Sequence, residues 1–260
     1  MKVLISNDDG VYAEGIWTLA RQISKFAEVT IMAPDREQSA VGTAVTLRRP
    51  LRVQKISPLS PGIEAYAVEG TPSDSVIVAL GKVLHEKVDL VVSGINHGSN
   101  LGEDVLISGT VGAALAAHLR GFPAMAVSTG KWTESYLNDT ARLVALLVAR
   151  MAEVTLPPGM FLNFNVPDLP LTEAKGLKIT YLAHKSHVNS VEEGHDGKKA
   201  YYMLVRSAVN EQEDKRTDIW AVNHGYASIT PLHLFLNGRL PPLLLEKLTS
   251  GLLEEFKGRS

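Results

Sequence analysis

The chain of 260 residues contains no cysteine. Disulfides, thiolate zinc sites and cysteine nucleophiles are thereby excluded, and a reducing compartment, the cytoplasm, is the expected location. No apolar run approaches the roughly 18 residues that a transmembrane helix needs, so no membrane partner is expected. Neither sign of charge is in excess: 26 Lys and Arg stand against 28 Asp and Glu, a net charge of -2. No global field therefore draws the chain to a nucleic acid polymer. The first residues enter a strand pattern directly, with neither a secretory nor a transit-type segment. No P-loop and no G-x-G-x-x-G follows a strand, which counts against the usual nucleotide-binding folds. What is present is ordinary globular composition, 45% hydrophobic and 21% charged. The length suits one large domain or one domain with a sizeable appendage.

Strand-like and helix-like segments alternate through the first half. Lys2–Ser6 and Val29–Ala33 read as buried strands, separated by Ile16, Leu19, Ala20, Ile23 and Phe26 at helical spacing. Thr71-Pro72-Ser73-Asp74 has the form of an N-cap with proline at the first helical position, opening a helix to about His85. Val88–Ser93, Met125–Ser128 and Phe161–Asn165 read as strands, and Thr110–Leu119 and Asn138–Met151 as helices. This rhythm predicts an α/β fold, a mostly parallel sheet with helices on both faces. Thr43–Val53 alternates like an antiparallel excursion. After about Leu177 come short strand candidates, Lys178–Leu182, Ala200–Val205 and Ala227–Thr230, and an amphipathic stretch, Leu243–Phe256, that reads as helical. His184–Lys199 is polar and turn-rich and reads as a mobile excursion.

Asn7-Asp8-Asp9-Gly10 directly follows the first strand. Two adjacent carboxylates there are costly to desolvate without a partner, and on a regular strand they would point to opposite faces. They serve one site only if the backbone leaves the extended conformation, which Gly10 permits. Ligands of open α/β sheets collect at the carboxyl ends of strands, where strand order reverses. The second strand is followed by Pro34-Asp35-Arg36-Glu37-Gln38-Ser39, and Val88–Ser93 by Gly94-Ile95-Asn96-His97-Gly98. Carboxylate, hydroxyl and amide oxygens with few cationic residues suit a hard cation such as Mg²⁺ or Mn²⁺. Ser108-Gly109-Thr110 stands before a helix whose free N–H groups and positive dipole end suit a phosphate. Together they suggest metal-assisted phosphoester chemistry.

The chain resembles the SurE family, stationary-phase survival proteins that are metal-dependent nucleoside-monophosphate phosphatases. The resemblance runs through Ser6–Gly10, Ala33–Ser39, Gly70-Thr71-Pro72, Val92–Asn96, Asn100–Val105, Ser108–Ala114 and Gly225–Leu232, in the family's order. It implies a Rossmann-like catalytic core over residues 1–175. A smaller β-hairpin and helix extension over residues 176–260 would take part in contacts of a homodimer or homotetramer. It implies one divalent metal ion per subunit, held by Asp8, Asp9, Ser39 and Asn96, with Asp8 and Asp9 the catalytic residues. Asn7, Gly94, Asn96, Ser108, Gly109 and Thr110 match its phosphate-binding wall. The implied reaction is hydrolysis of nucleoside 5′-monophosphates to nucleoside and phosphate by metal-activated water. Activity on 3′-monophosphates or short polyphosphate is also within the family's range. Two positions depart from the family. Ala40 stands where glycine commonly follows the metal-ligating serine, and is strained if that position needs positive φ. Arg216-Thr217-Asp218 replaces a Gly-Thr-Asp turn. Val188–Lys199 falls outside these matching blocks, and substrate preference is expected to be decided there.

Other readings are weaker. A phospho-acceptor receiver needs an Asp at the end of the third parallel strand, where this chain has Val92-Ser93-Gly94. An aspartyl-nucleophile phosphatase usually places a second acid two residues beyond the first, and Gly10 occupies that place. A nucleotide-binding module without turnover is distinguished by phosphate release. His184, His187 and His195 with Asp196 are spaced too loosely for a zinc site and read as surface histidines. Arg48-Arg49 reads as a solvated edge, and Trp17 and Trp132 as packing residues.

Overall fold

The computed structural model describes residues 1–130, 132–197, 199–206, 214–234 and 250. In chain order its strands are β1 (Lys2–Ser6), β2 (Glu28–Pro34), β3 (Val53–Lys55), β4 (Glu64–Val68), β5 (Leu90–His97), β6 (Ala124–Thr129), β7 (Phe161–Val166), β8 (Leu177–Ile179), β9 (Val188–His195), β10 (Ala200–Arg206) and β11 (Ala227–Pro231). The α-helices are α1 (Glu14–Ile23), α2 (Pro72–Val78), α3 (Gly109–His118), α4 (Glu134–Ala152) and α5 (Asp218–Asn223). The main sheet runs β3-β4-β2-β1-β5-β6-β7-β11-β8. The six strands from β4 to β7 in that order are mutually parallel. β3 and β11 run antiparallel to the strands at either end of that block.

Burial on both faces follows from the strands' two-residue period. Val3 and Ile5 join one apolar cluster with Ile16, Leu19, Val144 and Val148, so α1 and α4 cover that face. Leu4, between them, joins the opposite cluster with Val76, Val111 and Ala113, under α2 and α3. The chain first builds outward from β1 through β2 to β4, then returns to β5 on β1's other side. Strand order thus reverses between β1 and β5, which opens a crevice at their carboxyl ends.

Several expected elements differ. The helix expected to run to His85 is α-helical only to Val78 and continues as a wider π-turn over Ala79–Val83. The helical pattern that included Phe26 ends at Ile23, and Phe26 is exposed. Thr43–Val53 does not form a strand: only Val53–Lys55 pairs, antiparallel to β4. The preceding stretch is held by side chains instead, Thr46 donating its N–H and its hydroxyl to the Asp74 carboxylate. β5 runs to His97, so Gly94 and Asn96 lie within the strand and not beyond it. Its register against β6 shifts between Ser93 and Asn96. Gly94 has φ 139°, and a Cβ there would stand 2.4 Å from the Val127 carbonyl oxygen, so only glycine fits this irregularity. The segment read as a mobile excursion holds β9, which pairs antiparallel with β10 as a separate two-stranded sheet. Of Leu243–Phe256, all but Ser250 lies outside the described residues.

Candidate functional site

The crevice at the reversal gathers the loops after β1, β2 and β5 and the start of α3. After β1 the chain turns at Gly10, φ 100°, and Asn7 locks the turn. Its amide nitrogen donates to the Gly10 carbonyl oxygen at 3.0 Å, and its oxygen accepts from the Gly10 N–H at 3.2 Å. Asn7 is therefore buried and committed to the backbone. The loop after β2 is tied to the same turn, the Gln38 N–H donating to the Asp8 carbonyl oxygen at 2.7 Å.

Asp8 is buried beneath α3. Its carboxylate accepts from the Thr110 hydroxyl and from the Thr110 backbone N–H. Gly109 permits this approach, since a Cβ there would lie 2.8 Å from the Asp8 Cβ. Burial nevertheless raises the Asp8 pKa above the usual carboxylate value, outweighing the bonds from Thr110. Asp9 is half-buried, and its pKa is pushed up to about 7, first by desolvation and then by the negative charges of Asp8 and Glu37. The backbone N–H of Asp9 itself and that of His97 oppose the shift weakly. The Asp9 Oδ2 is shut off from solvent and has no hydrogen-bond partner.

Ser39 is exposed and donates its hydroxyl to Glu37 at 2.6 Å. Asn96 donates its amide nitrogen to the Gly98 carbonyl oxygen at 2.6 Å, which fixes the side chain with its oxygen uncommitted to that bond. Ser108 caps α3, its hydroxyl oxygen accepting from the Val111 N–H at 3.1 Å. The backbone thus links Asp8 to the Ser39 loop, and Asp9 to the residue after Asn96. Thr110 is turned to Asp8. Ala40, next to Ser39, has φ 55°, the left-handed conformation that was expected to strain it.

Three residues that support this edge lie in stretches named in the sequence analysis, but were given no role there. Asn100, after β5, is held by Asn165, Ser128 and Asn163 in a buried network. The signal was available: Asn163 and Asn165 sit two apart in an otherwise apolar strand, on one face. Asp218, fully buried, accepts from the N–H groups of Gly102, Ala183 and Ile219 at 2.8–2.9 Å. Asp104 accepts from Ser186 and from the backbone and ring of His187, which fastens the foot of β9. His187 is therefore bound to Asp104, while the His195 Nδ1 accepts from the Gly197 N–H. Among the described residues no group of three or more His, Asp or Glu is placed to hold a metal. Trp17 is a packing residue, its indole donating to the Val11 carbonyl oxygen. A cavity of about 630 Å³ lined by Met1, Lys87, Arg120 and Met151 opens beside the amino ends of β1 and β5, away from these groups. No helix among the described residues is long and apolar enough to cross a membrane.

A doubly wound α/β sheet with an acidic pair at its switch point defines a Rossmann-like protein built to hold a ligand at that edge. The particular family follows from its relatives. The family model for Survival protein SurE matches residues 3–189. The chain is 54% identical over 235 residues to the 5'-nucleotidase SurE of Dehalococcoides mccartyi (strain CBDB1), covering 90% of this chain and 89% of that one. It is 42% identical over 236 residues to the 5'-nucleotidase SurE of Synechococcus sp. (strain JA-3-3Ab), covering 89% and 91%. The SurE protein from Aquifex aeolicus superposes with a TM-score of 0.79 at 32% identity, covering 98% of this chain and 100% of that one. The chain belongs to the SurE family.

Proposed function

We propose that this chain is a divalent-metal-dependent phosphomonoesterase that hydrolyses nucleoside 5′-monophosphates to nucleoside and phosphate. The observation that carries the reading is Asp9, whose Oδ2 is buried without a partner while Asp8 and Glu37 add negative charge around it. An acid so placed is held at a cost that a cation would offset. The donors fit a hard ion: the Asp8 and Asp9 carboxylates, the Ser39 hydroxyl and the Asn96 side-chain oxygen would hold one Mg²⁺ or Mn²⁺ per subunit. When bound, the ion supplies Lewis acidity toward a phosphoryl oxygen and toward an attacking water.

The remaining chemistry falls to the chain. The Ser108 hydroxyl and the N–H at Gly109 face developing charge on the phosphoryl oxygens from the head of α3, where the helix dipole is positive. Thr110 serves at one remove, by orienting Asp8. Asn7 keeps the turn that presents both acids, and Gly94 lets β5 bring Asn96 to the edge. Because these contacts are to the phosphoryl group, the same site would accept 3′-monophosphates and the end of short polyphosphate. The names of the 5'-nucleotidase relatives support the 5′ assignment. We assign the activity to residues 1–175 and oligomer contacts, in a homodimer or homotetramer, to residues 176–260. Exposed Val191, Tyr202, Met203 and Leu204 on β9 and β10 support the latter. The cytoplasm is the proposed compartment.

Phosphate release from a panel of nucleotides and short polyphosphates, with Mg²⁺, Mn²⁺ and chelator as separate arms, tests the reading. Release from nucleoside 5′-monophosphates that chelator abolishes is expected. Release that chelator leaves untouched, or none in any arm, overturns it.

A further inference from the structure

Beside the acidic pair, the same sheet edge carries aromatic surface that phosphate chemistry does not use. His97 ends β5 with an exposed ring, and Trp132 follows β6 half-buried. Their ring centroids are 5.0 Å apart and the planes are inclined at 33°. The indole is fixed from behind, because it packs on the apolar cluster under α1 and α4. There α1 comes so close at Gly15 that a Cβ would stand 2.7 Å from the Trp132 Cη2 and 2.4 Å from the Ile95 carbonyl oxygen. The imidazole belongs to the residue whose backbone N–H meets the Asp9 carboxylate, so this residue lies beside the acidic pair at the carboxyl end of β5. Packing accounts for the buried side of Trp132. It does not account for an exposed imidazole laid over the indole at the rim of a ligand crevice.

We propose that His97, backed by Trp132, is the platform on which the base of a nucleoside monophosphate stacks while its phosphate lies at Asp8 and Asp9. The assignment rests on the function proposed above and names the part of the site that distinguishes a nucleotide from other phosphomonoesters. Base–aromatic stacking tolerates any base, because every base has a π-face, so the platform selects for a base without choosing among bases.

The test compares wild type with His97→Ala, which keeps the backbone N–H to Asp9, and with Trp132→Leu, which keeps an apolar group against the core. Two quantities are read: the ratio of kcat/KM for AMP to that for ribose 5-phosphate, and the affinity for adenosine by calorimetry. The ratio is expected to fall about tenfold in each variant, mostly through KM for AMP, with a matching loss of adenosine affinity. An unchanged ratio and affinity in His97→Ala overturns the platform, whatever happens to absolute turnover. A wild-type protein that hydrolyses AMP and ribose 5-phosphate equally well overturns it too, and leaves the hydrolase standing. Adenosine binding that depends on His97, without phosphate release from any ester, supports the platform and overturns the hydrolase.

Discussion

Asp218 and Asp9 are both acids withdrawn from water, and their surroundings treat them in opposite ways. Around Asp218, three backbone N–H groups converge on the two carboxylate oxygens: two from distant stretches, the turn after β5 and the segment before β9, and one from the adjacent Ile219 at the head of α5. Burial still raises its pKa, yet nothing is left unpaired. Around Asp9 the donors are fewer and the neighbours are acids, and one oxygen has no partner. A carboxylate that the chain satisfies by itself is a tie. One that the chain leaves unsatisfied beside further negative charge is a place kept for something else. Asp8 stands between the two cases, half claimed by Thr110.

Substitution of the unsatisfied acids separates the two sites most clearly. Asp8→Asn and Asp9→Asn are each expected to reduce metal-dependent phosphate release on the order of a thousandfold. Their metal-free thermal midpoints should not fall, because each removes a buried charge. Near-normal turnover in either variant would refute the metal assignment. The Asp9 proton gives a second handle. From the usual carboxylate value of 3.8 up to about 7, the unfolded chain has released a proton that the folded chain still holds. Stability of the metal-free protein should therefore fall as pH rises through that window and level off above it. Proton and cation compete for the same oxygens, so the rise in melting temperature on adding Mn²⁺ should be larger above pH 7 than at about pH 5.5. An equal rise at both would separate the Asp9 proton from cation binding.

Asp218→Ala tests the satisfied site and should show the opposite signature. It strands three buried N–H groups, an expected loss of about 3 kcal/mol or more in urea unfolding. Asp218→Asn, which keeps one acceptor oxygen, should lose less. A loss under about 1 kcal/mol in the alanine variant would mean that the three bonds re-form with water.

Thr110→Val probes the intermediate case. It removes the hydroxyl that orients Asp8 and keeps the shape, so with Asp8 in its proposed role as metal ligand turnover should fall roughly tenfold to a hundredfold. Thr110→Ser should restore most of it. If valine is tolerated, the backbone N–H alone holds Asp8.

The open site was more legible in the sequence than the satisfied one, for a physical reason. Asp8 and Asp9 are adjacent to each other and to an aliphatic strand, so local pattern exposes them. The partners of Asp218 lie as far away as Gly102, and Thr217-Asp218 reads locally as no more than a helix start. Thr110 reads locally as part of a phosphate-binding helix start, and its contact with Asp8, 102 residues away, leaves no trace in local pattern. The parallel strands were found because both faces are buried and their sequences are nearly continuous in aliphatic residues. The resemblance implied a hairpin in this extension, but local pattern does not place β9, because a two-stranded ribbon buries neither face well and Val188-Asn189-Ser190-Val191-Glu192-Glu193-Gly194-His195 carries no alternation for burial to impose. The extension of β5 was missed because glycine at Gly94 reads as a stop, although here it permits the strand to continue past an irregularity.

The smallest effect belongs to Ala40, where family resemblance and structure meet on one dihedral angle. With φ at 55° its Cβ crowds the backbone, a conformation that costs an L-residue roughly 1–2 kcal/mol. Glycine removes that cost but has more freedom to lose on folding, by roughly 0.5–1 kcal/mol. Ala40→Gly should therefore stabilise the chain by about 0.5 kcal/mol, read as a higher urea midpoint at constant slope. Because Ala40 only shapes the backbone beside Ser39, phosphate release should change less than in Thr110→Val. A lower midpoint would show that the 37–42 loop already relaxes around the alanine, and that its strain is not what sets the Ser39 hydroxyl in place.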